Sequence, residues 1–264
     1  MPLASDPLRI TVLGSGTSMG VPTIGCHCDV CSSDDPRDNR LRPSILVRYG
    51  GRNVLIDTTP DFRTQALRAK ITRLDAILFT HEHADHIMGL DDVRPFNFRQ
   101  KNSIPIFASE ATLAAIRRSV QYIFVTRASE SSIPKLDTHT IDGTSFDLFG
   151  LEIRPLRLLH GRGEVYGFRF GKAAYLTDHS EIPRETLEQL RGLDVLFLDA
   201  LRHKPHPTHS TVARSMAYAG QLNPRRTFFT HICHELPHAR TEHDLPPHIR
   251  LAYDGLEITV GEPL

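Results

Sequence analysis

Short apolar runs that end in a histidine or an aspartate constrain the fold of this chain most strongly. Runs rich in Val, Ile, Leu and Phe recur along the sequence, each bounded by Gly, Asp or Pro, which is typical of strands. The predicted strands are RITVLG, SILVRYG, NVLIDTT, AILFT, IPIFAS, LEIRPLRLLH, VYGFRF, AAYLTD, DVLFLDA, RTFFTH and LEITV. Six of these runs finish at a potential metal ligand or acid, namely Asp57, His81, His160, Asp178, Asp199 and His231. Side chains just past the carboxyl ends of strands gather at one edge of a sheet. We therefore expect these six residues to converge on one site.

Helical patterns lie between some of the predicted strands, for example PRETLEQL and STVARSMAYAGQL. Strands outnumber helices about two to one, which favours an α/β (α+β) fold with two sheets and outer helices over a doubly wound sheet. The 264 residues are 40% hydrophobic and contain no long polar linker, so we predict a single domain over residues 1–264. We expect the least order in the segments Cys31–Arg42 and Pro237–His248.

The charge balance limits the partners. The formal net charge is +0 at pH 7, so no basic field covers the whole chain to attract nucleic acid or an anionic membrane. No apolar run approaches the roughly 20 residues of a membrane span, and the first ten residues lack the pattern of a signal peptide. The expected location is cytoplasmic, with no membrane partner.

The densest group of candidate ligands is the segment THEHADH, Thr80 to His86. His81 and His83 alternate in an extended turn and can bind one metal, whereas Asp85 and His86 lie where a helix begins and point to a second. Imidazole and carboxylate ligands together suit Zn, Mn or Fe(II). Two metals about 3.5 to 4 Å apart need a bridging ligand, for which a carboxylate is suited.

A second metal site is indicated by the segment GCHCDVC, which holds Cys26, Cys28 and Cys31. Three of the chain's four cysteines lie in this one heptapeptide, a pattern that fits a metal site in a reducing compartment better than a disulfide scaffold. A structural zinc has four ligands, so one more is expected elsewhere in the chain.

The motif His81-Glu82-His83-Ala84-Asp85-His86 resembles the signature of the metallo-β-lactamase superfamily, and the later ligands follow in the order used there. The resemblance implies an αββα sandwich of two mixed sheets flanked by helices. It also implies that His81, His83 and His160 hold one metal, that Asp85, His86 and His231 hold another, and that Asp178 bridges them. Asp57 resembles the acid that orients the histidine loop without touching a metal.

The start of the chain narrows the resemblance. The segment Gly16–Pro22, GTSMGVP, is similar to the start of tRNase Z enzymes, whereas the cysteine heptapeptide resembles that of the cyclic-phosphate phosphodiesterases of the PhnP family. In that family a histidine three residues after the last active-site histidine completes a structural zinc, and His234 holds that position here. Cys233 is the alternative ligand. The glycines do not have the spacing of a dinucleotide-binding fingerprint.

The expected chemistry is hydrolysis. Water shared by two divalent cations, Zn or Mn, is deprotonated near neutral pH and can attack phosphorus, so Asp85 and Asp178 count as catalytic as well as metal-binding residues. His209, in PHPTHST, is the candidate general acid because HST before the last metal histidine resembles the matching motif of tRNase Z. His206 is a weaker candidate. Arg202 and Lys204 are candidates for holding a phosphate.

The leading hypothesis is a dinuclear phosphodiesterase that acts on a small cyclic or ribosyl phosphate. The alternatives are an RNA 3′-end endonuclease like tRNase Z, a thioester or lactone hydrolase, and a non-catalytic zinc protein like the PQQ-biosynthesis member of the superfamily. The expected partner is a small phosphodiester, nucleic acid is less favoured, and a homodimer is the assembly to test for. Histidines outside these patterns, including His179 and His238, are expected at the surface or in loops. Phe96 and Phe98 are expected in the substrate pocket or the core.

Overall fold

A computed structural model describes residues 7–124 and 132–262. It contains fourteen strands: β1 (Arg9–Gly14), β2 (Ser44–Tyr49), β3 (Arg52–Ile56), β4 (Ala76–Leu78), β5 (Ile104–Ala108), β6 (Leu136–Thr140), β7 (Phe146–Leu148), β8 (Leu151–His160), β9 (Gly163–Phe170), β10 (Ala173–Leu176), β11 (Val195–Asp199), β12 (Arg226–Thr230), β13 (Ile249–Leu251) and β14 (Glu257–Thr259). Seven α-helices accompany them: α1 (Phe62–Arg68), α2 (Ala84–Ile87), α3 (Arg94–Gln100), α4 (Glu110–Ser119), α5 (Arg184–Gln189), α6 (Val212–Leu222) and α7 (His238–His243). Short 3-10 turns cover Pro36–Asp38, Leu90–Val93 and Gln121–Ile123.

The strands form two mixed sheets of seven strands each. The first has the order β14-β1-β2-β3-β4-β5-β6, and the second has the order β13-β12-β11-β10-β9-β8-β7. Strands β3 to β6 pair in parallel, as do β10 to β13, whereas the other pairings are antiparallel. The predicted sandwich of two mixed sheets with outer helices, the metallo-β-lactamase fold, is confirmed.

Three apolar clusters account for the layers. The middle cluster lies between the sheets and includes Ile10 from the first sheet and Tyr175, Phe197 and Phe228 from the second. The other two clusters lie between each sheet and its helices. Strand β11 is buried at every position because both of its faces are covered, which explains why it reads as a continuous apolar run rather than an alternating one.

The structure differs from the sequence prediction in two segments expected to lack order. In the first, Arg40 is only 1% exposed, and it donates to the carbonyl of Ala252 (2.7 Å) and lies 3.0 Å from Nδ1 of His238. In the second, helix α7 begins at His238, which is fully buried, so the expectation of a surface or loop position for this residue was wrong. Local composition misled the prediction because polar residues are ordered here by partners far along the chain.

Three strands were not predicted. Strand β6 has the sequence LDTHT and is largely exposed, and β7 and β13 contain three residues each. These strands extend sheets whose other members are strongly apolar, so hydrogen bonding to a neighbouring strand determines them more than their own side chains do. Within residues 7–124 and 132–262, no helix is long and apolar enough to cross a membrane.

Candidate metal centre and active-site cleft

One edge of the sandwich gathers the residues that end the apolar runs. In the first sheet Asp57 follows β3, and His81 lies three residues after the parallel strand β4. In the second sheet Asp178, Asp199 and His231 lie at the carboxyl ends of the parallel strands β10, β11 and β12. Strand β8 ends in His160 at the same edge, because β8 and β10 are both antiparallel to β9 and so run in one direction.

The backbone turns sharply at three of these residues. Asp57, Asp178 and His231 have φ values of 66°, 55° and 57°, in the left-handed region that non-glycine residues rarely adopt. Such conformations cost on the order of 1–3 kcal/mol each and cluster at functional sites. Each of the three residues follows the end of a strand, β3, β10 or β12.

The first candidate metal position contains only imidazoles. His81, His83 and His160 offer donor atoms that all lie within 4.8 Å of one another. Nε2 of His81 is 3.0 Å from Nδ1 of His83 and 3.9 Å from Oδ2 of Asp178. The ring of His160 is held by a hydrogen bond from its Nδ1 to the carbonyl of Thr208 (2.7 Å). Nε2 of His160 therefore remains available to the site.

The second candidate position combines two carboxylates and two imidazoles. Asp85, His86, Asp178 and His231 place their donor atoms within 4.8 Å of one another, and all four side chains are buried. Oδ2 of Asp178 is 3.2 Å from Nε2 of His231, and its Oδ1 is 3.4 Å from Nε2 of His86. Since Oδ2 of Asp178 is also close to His81, this carboxylate lies between the two positions, where a bridging ligand would have to lie.

The donor atoms of the second position fit a cation. Oδ2 of Asp85, Nε2 of His86 and Nε2 of His231 are buried without a hydrogen-bond partner within the described residues. Burial lowers the pKa of His231, but the carboxylates of Asp178 and Asp85 outweigh burial and raise that pKa to about 9. For Asp178, burial raises the pKa, and the charges of His231 and His86 outweigh burial and bring it well below its usual range. The ionised carboxylates of Asp85 and Asp178 are therefore stabilised by nearby positive charge, which a metal would supply.

A buried hydrogen-bond network orients the histidine loop. Asp57 is fully buried, its Oδ1 accepts from the backbone N–H of Thr80 (2.9 Å), and its Oδ2 accepts from the Thr80 hydroxyl (2.8 Å). Oδ2 of Asp57 also lies 2.8 Å from Nδ1 of His86, so Nε2 of His86 faces the site. Burial raises the pKa of Asp57, and the charge of His86 opposes that rise. These contacts match the orienting role predicted for Asp57.

The cysteine heptapeptide meets His234. Nδ1 of His234 lies 3.2 Å, 3.4 Å and 3.5 Å from the Sγ atoms of Cys26, Cys28 and Cys31. Zinc bonds of about 2.3 Å to sulfur and about 2.0–2.1 Å to nitrogen, at tetrahedral angles, set S···N distances of about 3.5 Å. Cys233 lies outside this cluster and is buried, with its Sγ accepting from the backbone N–H of Glu235.

The segment that leads to the cysteine cluster is hydrogen-bonded to the loop that carries His231 at the active site. The backbone N–H of Thr17 donates to the carbonyl of Ile232 (3.1 Å), and that of Ile232 donates to Ser15 (3.0 Å). Gly16 lies against the segment 40–42, where an added Cβ would be 2.9 Å from the carbonyl of Arg40. Glycine at position 16 therefore allows the two backbone segments to pack closely. The cysteine cluster and these bonds hold the loop that carries His231.

His209 lies beside the two metal positions but belongs neither to the set of three histidines nor to the set of four residues that contains Asp178. Its Nδ1 lies 2.7 Å from Oδ2 of Asp199, which is fully buried at the end of β11. A carboxylate partner on Nδ1 leaves Nε2 as the free nitrogen of the ring. His206 does not line the cleft, and its Nδ1 accepts from the backbone N–H of Thr208 (3.3 Å). The sequence analysis missed the pairing of Asp199 with His209, although Asp199 ends one of the six apolar runs.

The donors open onto a cleft of about 550 Å³. Its lining residues are Ser18, His81, Glu82, His83, Ala84, Asp85, His160, Gly163, Glu164, Val165, Asp178, Thr208, His209 and His231. Arg202 and Lys204 are not among them, because both pair with Glu235 (3.0 Å and 3.7 Å). Phe96 is buried beneath helix α1 and Phe98 is exposed, and neither lines the cleft. His179, expected at the surface or in a loop, lies in the loop after β10 but is fully buried, and burial lowers its pKa to about 4.

Comparison with known proteins adds three findings. The profile of the beta-lactamase superfamily domain matches residues 52–232. The crystal structure of a diphosphatase from the PhnP family is 53% identical, with a TM-score of 0.91 over 96% of this chain and 97% of that one. An octanoyltransferase from Porphyromonas gingivalis is 40% identical over 259 residues, which are 97% of this chain and 52% of that protein.

More distant relatives are ribonucleases Z. That of Mycobacterium bovis (strain BCG / Pasteur 1173P2) is 28% identical over 214 residues, 74% of this chain and 71% of the relative. The chain spans about half the length of the first curated relatives it matches, the octanoyltransferase (52%) and a ribonuclease Z of Bradyrhizobium diazoefficiens (48%).

Proposed function

We propose, since this chain belongs to the metallo-β-lactamase superfamily and within it to the PhnP family, that its cleft hydrolyses a P–O bond in a small phosphodiester or disubstituted diphosphate. The observation that carries the proposal is the arrangement of donors in one cleft. Asp178 belongs to the second donor set, its Oδ2 also lies 3.9 Å from Nε2 of His81 in the first, and His209 lies beside both with the buried carboxylate of Asp199. A structural or binding role would not require this third element.

The donor sets would hold two divalent metals, Zn or Mn. His81, His83 and His160 would bind one, Asp85, His86 and His231 the other, and Asp178 both. When bound, such metals supply a nucleophilic oxygen from water near neutral pH and neutralise charge on the phosphoryl group. A separate zinc would occupy the cluster of Cys26, Cys28, Cys31 and His234 and stabilise the fold, since metal binding adds to folding free energy.

The chain's own residues would position and protonate the substrate. Asp199 keeps the proton of His209 on Nδ1 and fixes the plane of the ring, because the carboxylate is buried and cannot rotate toward solvent. In its imidazolium form, with a proton on each ring nitrogen, His209 can then deliver the Nε2 proton to the oxygen of the leaving group as the P–O bond breaks, and the ring is left neutral with its remaining proton on Nδ1. The carbonyl of Thr208 fixes the ring of His160 beside that of His209. The centroids of these two rings are 4.9 Å apart.

Two substrate types follow from this chemistry. A cyclic or ribosyl phosphodiester carries one phosphoryl centre with an alcohol as leaving group, and a disubstituted diphosphate carries a phosphate as leaving group. The second type is supported by the 53% identical PhnP-family protein, which is described as a diphosphatase. Both types offer an ionised phosphoryl oxygen to the donors and an oxygen to be protonated by His209.

The test measures whether Mn- or Zn-loaded protein hydrolyses 5-phosphoribosyl 1,2-cyclic phosphate or a disubstituted diphosphate. The Asp178→Ala variant is assayed on both substrates beside the wild-type protein. We expect turnover of at least one substrate and a loss of more than about a thousandfold in the variant, because one removed side chain disrupts both donor sets. Asp137→Ala is the matched control, since Asp137 is exposed on β6 away from the cleft. Equal activity in all three proteins would refute the assignment.

An acyl thioester is the second candidate substrate, because the 40% identical relative is named an octanoyltransferase. That name belongs to a protein about twice as long, so the transfer activity is not carried over to this chain. Octanoyl thioester is therefore the third substrate in the same assay. Cleavage of this substrate alone, abolished by Asp178→Ala, would replace phosphoryl chemistry with acyl chemistry in the same cleft.

A further inference from the structure

A second cavity lies between helices α1 and α3, on the outer side of the first sheet. We call it the helix cavity. Its volume is about 360 Å³, within the range of about 300–1,000 Å³ that accommodates small organic ligands. Its lining residues and those of the active-site cleft are two separate sets. A ligand in the helix cavity would therefore be distinct from the reacting substrate.

Part of the helix cavity is apolar. This apolar wall consists of Ala66, Leu67, Ile71, Pro95 and Phe96. Phe96 is only 6% exposed and packs against Phe62, with the ring centroids 6.2 Å apart, so the wall has a fixed base in the core. Leu67, by contrast, is 63% exposed. A ligand in the cavity would remove this apolar surface from water, which favours binding.

The helix cavity also carries a cationic rim, formed by Arg63, Lys70 and Arg99. Within the part of the chain that the structure describes, none of these three side chains forms an ion pair with an acidic group. The lining contains one carboxylate, that of Asp92, whose pKa is raised by burial and by the charge of Asp91 and lowered by that of Arg63. The rim therefore has more positive charge than its lining balances, although the net charge of the chain is +0.

An apolar wall beside a cationic rim fits a ligand with an aliphatic body and an anionic head. The wall favours a chain of CH₂ groups, because burying apolar surface is favourable in proportion to its area. The rim favours a carboxylate or a phosphate, with which a guanidinium forms charge-assisted hydrogen bonds. A nucleic acid fits less well, because Phe96 is the aromatic side chain of the described lining and its small exposed fraction leaves little ring face on which a base could stack.

We propose that the helix cavity binds an amphiphilic anion, a medium-length alkyl chain with a carboxylate or phosphate head. The chain lies along the apolar wall, and the head lies at the cationic rim. This site is independent of the function proposed above, because its residues are separate from the metal donors and from His209.

The test is calorimetry of the metal-loaded protein with octanoate, decanoate, monodecyl phosphate and acetate, each below its micelle concentration. Complete burial of one CH₂ group strengthens binding about fourfold, so decanoate should bind more tightly than octanoate by up to about sixteenfold. Acetate, which has the head without the chain, should bind much more weakly than either. Tighter binding of decyl phosphate than of decanoate would support the site and assign a phosphate head, and the reverse order would assign a carboxylate.

Two exposed positions test the two parts of the helix cavity without disturbing the core. Leu67→Ser removes part of the apolar wall and should weaken decanoate binding about three- to tenfold. Arg99→Gln removes one charge of the cationic rim and should weaken binding about two- to fivefold and reduce its dependence on salt. Ile24→Ser and Arg118→Gln are the matched controls, since both side chains are exposed outside the cavity, and both variants should bind decanoate as the wild type does.

Three results would overturn the proposal. The first is no binding of any of the amphiphiles, and the second is decanoate binding that neither Leu67→Ser nor Arg99→Gln weakens. The third concerns the active-site cleft, because a carboxylate can also bind a metal there. Loss of decanoate binding in Asp178→Ala, with full binding in Leu67→Ser, would place the ligand in that cleft. None of these measurements depends on hydrolysis, so this site and the proposed function are refuted by different results.

Discussion

Replacing Asp199 with asparagine tests how the cleft delivers a proton. Asp199 is fully buried, and its Oδ2 lies 2.7 Å from Nδ1 of His209. Asparagine has nearly the same shape and can still accept from Nδ1, so the ring should stay in place. The substitution removes the negative charge that stabilises a proton-carrying imidazole.

The size of the effect follows from the type of hydrogen bond. A bond to a charged group contributes about 1.5–3 kcal/mol and a neutral one about 0.5–1.5 kcal/mol. The difference, about 1–1.5 kcal/mol, corresponds to about five- to tenfold in rate, since each 1.36 kcal/mol is tenfold. Removing the ring altogether in His209→Ala should cost about 10²–10⁴-fold, the usual contribution of a general acid.

The assay compares two leaving groups on one nucleotide, p-nitrophenol and methanol. The nitrophenolate leaves without a proton, so loss of the acid should hardly affect it, whereas methanol needs protonation as it departs. We expect Asp199→Asn to lower kcat/KM about five- to tenfold on the methyl ester and less than about twofold on the aryl ester. Metal content and melting temperature, measured alongside, show that the site is assembled. The same loss on both esters would refute proton delivery by His209 and indicate a positioning role.

Three further predictions concern stability and assembly. Cys28→Ser should remove one zinc per chain and lower Tm, because the cluster holds the start of the chain against the loop after β12; Cys233→Ser keeps all four candidate ligands and is the control, and unchanged zinc in the first variant would exclude the cluster as a site. Burial and the charge of Arg40 lower the pKa of His238 to about 4, below the unfolded value of about 6.5. The stabilising contribution of neutral His238 should therefore be complete above about pH 6.5 and fall toward pH 4. Urea unfolding should give a lower free energy of unfolding at about pH 5 than at about pH 7.5, with a smaller difference in His238→Gln, and equal stability at both pH values would contradict the prediction. Gly89→Ala would place a Cβ 1.9 Å from a backbone carbonyl beside α2, so it should lower both stability and metal affinity, whereas Gly220→Ala, in open space on α6, should do neither.

Local patterns in the sequence were sufficient for much of the fold. Strands β1 and β8 match their predicted runs residue for residue. The spacing H-x-H-x-D-H supplies donors to two metal positions because a turn and the start of a helix follow each other within these few residues. These features are encoded at short range.

Other features depend on which strands are neighbours, and this information is spread over the whole chain. His238 is buried, and its backbone N–H donates to the carboxylate of Asp38, which lies 200 residues earlier in the chain. The choice of His234 over Cys233 for the cysteine cluster was left open by the sequence, because either side chain can bind zinc and only the turn after His231 decides which one faces the cluster. The sequence thus determined the types of donor present, and the order of strands in the two sheets determined which donors meet.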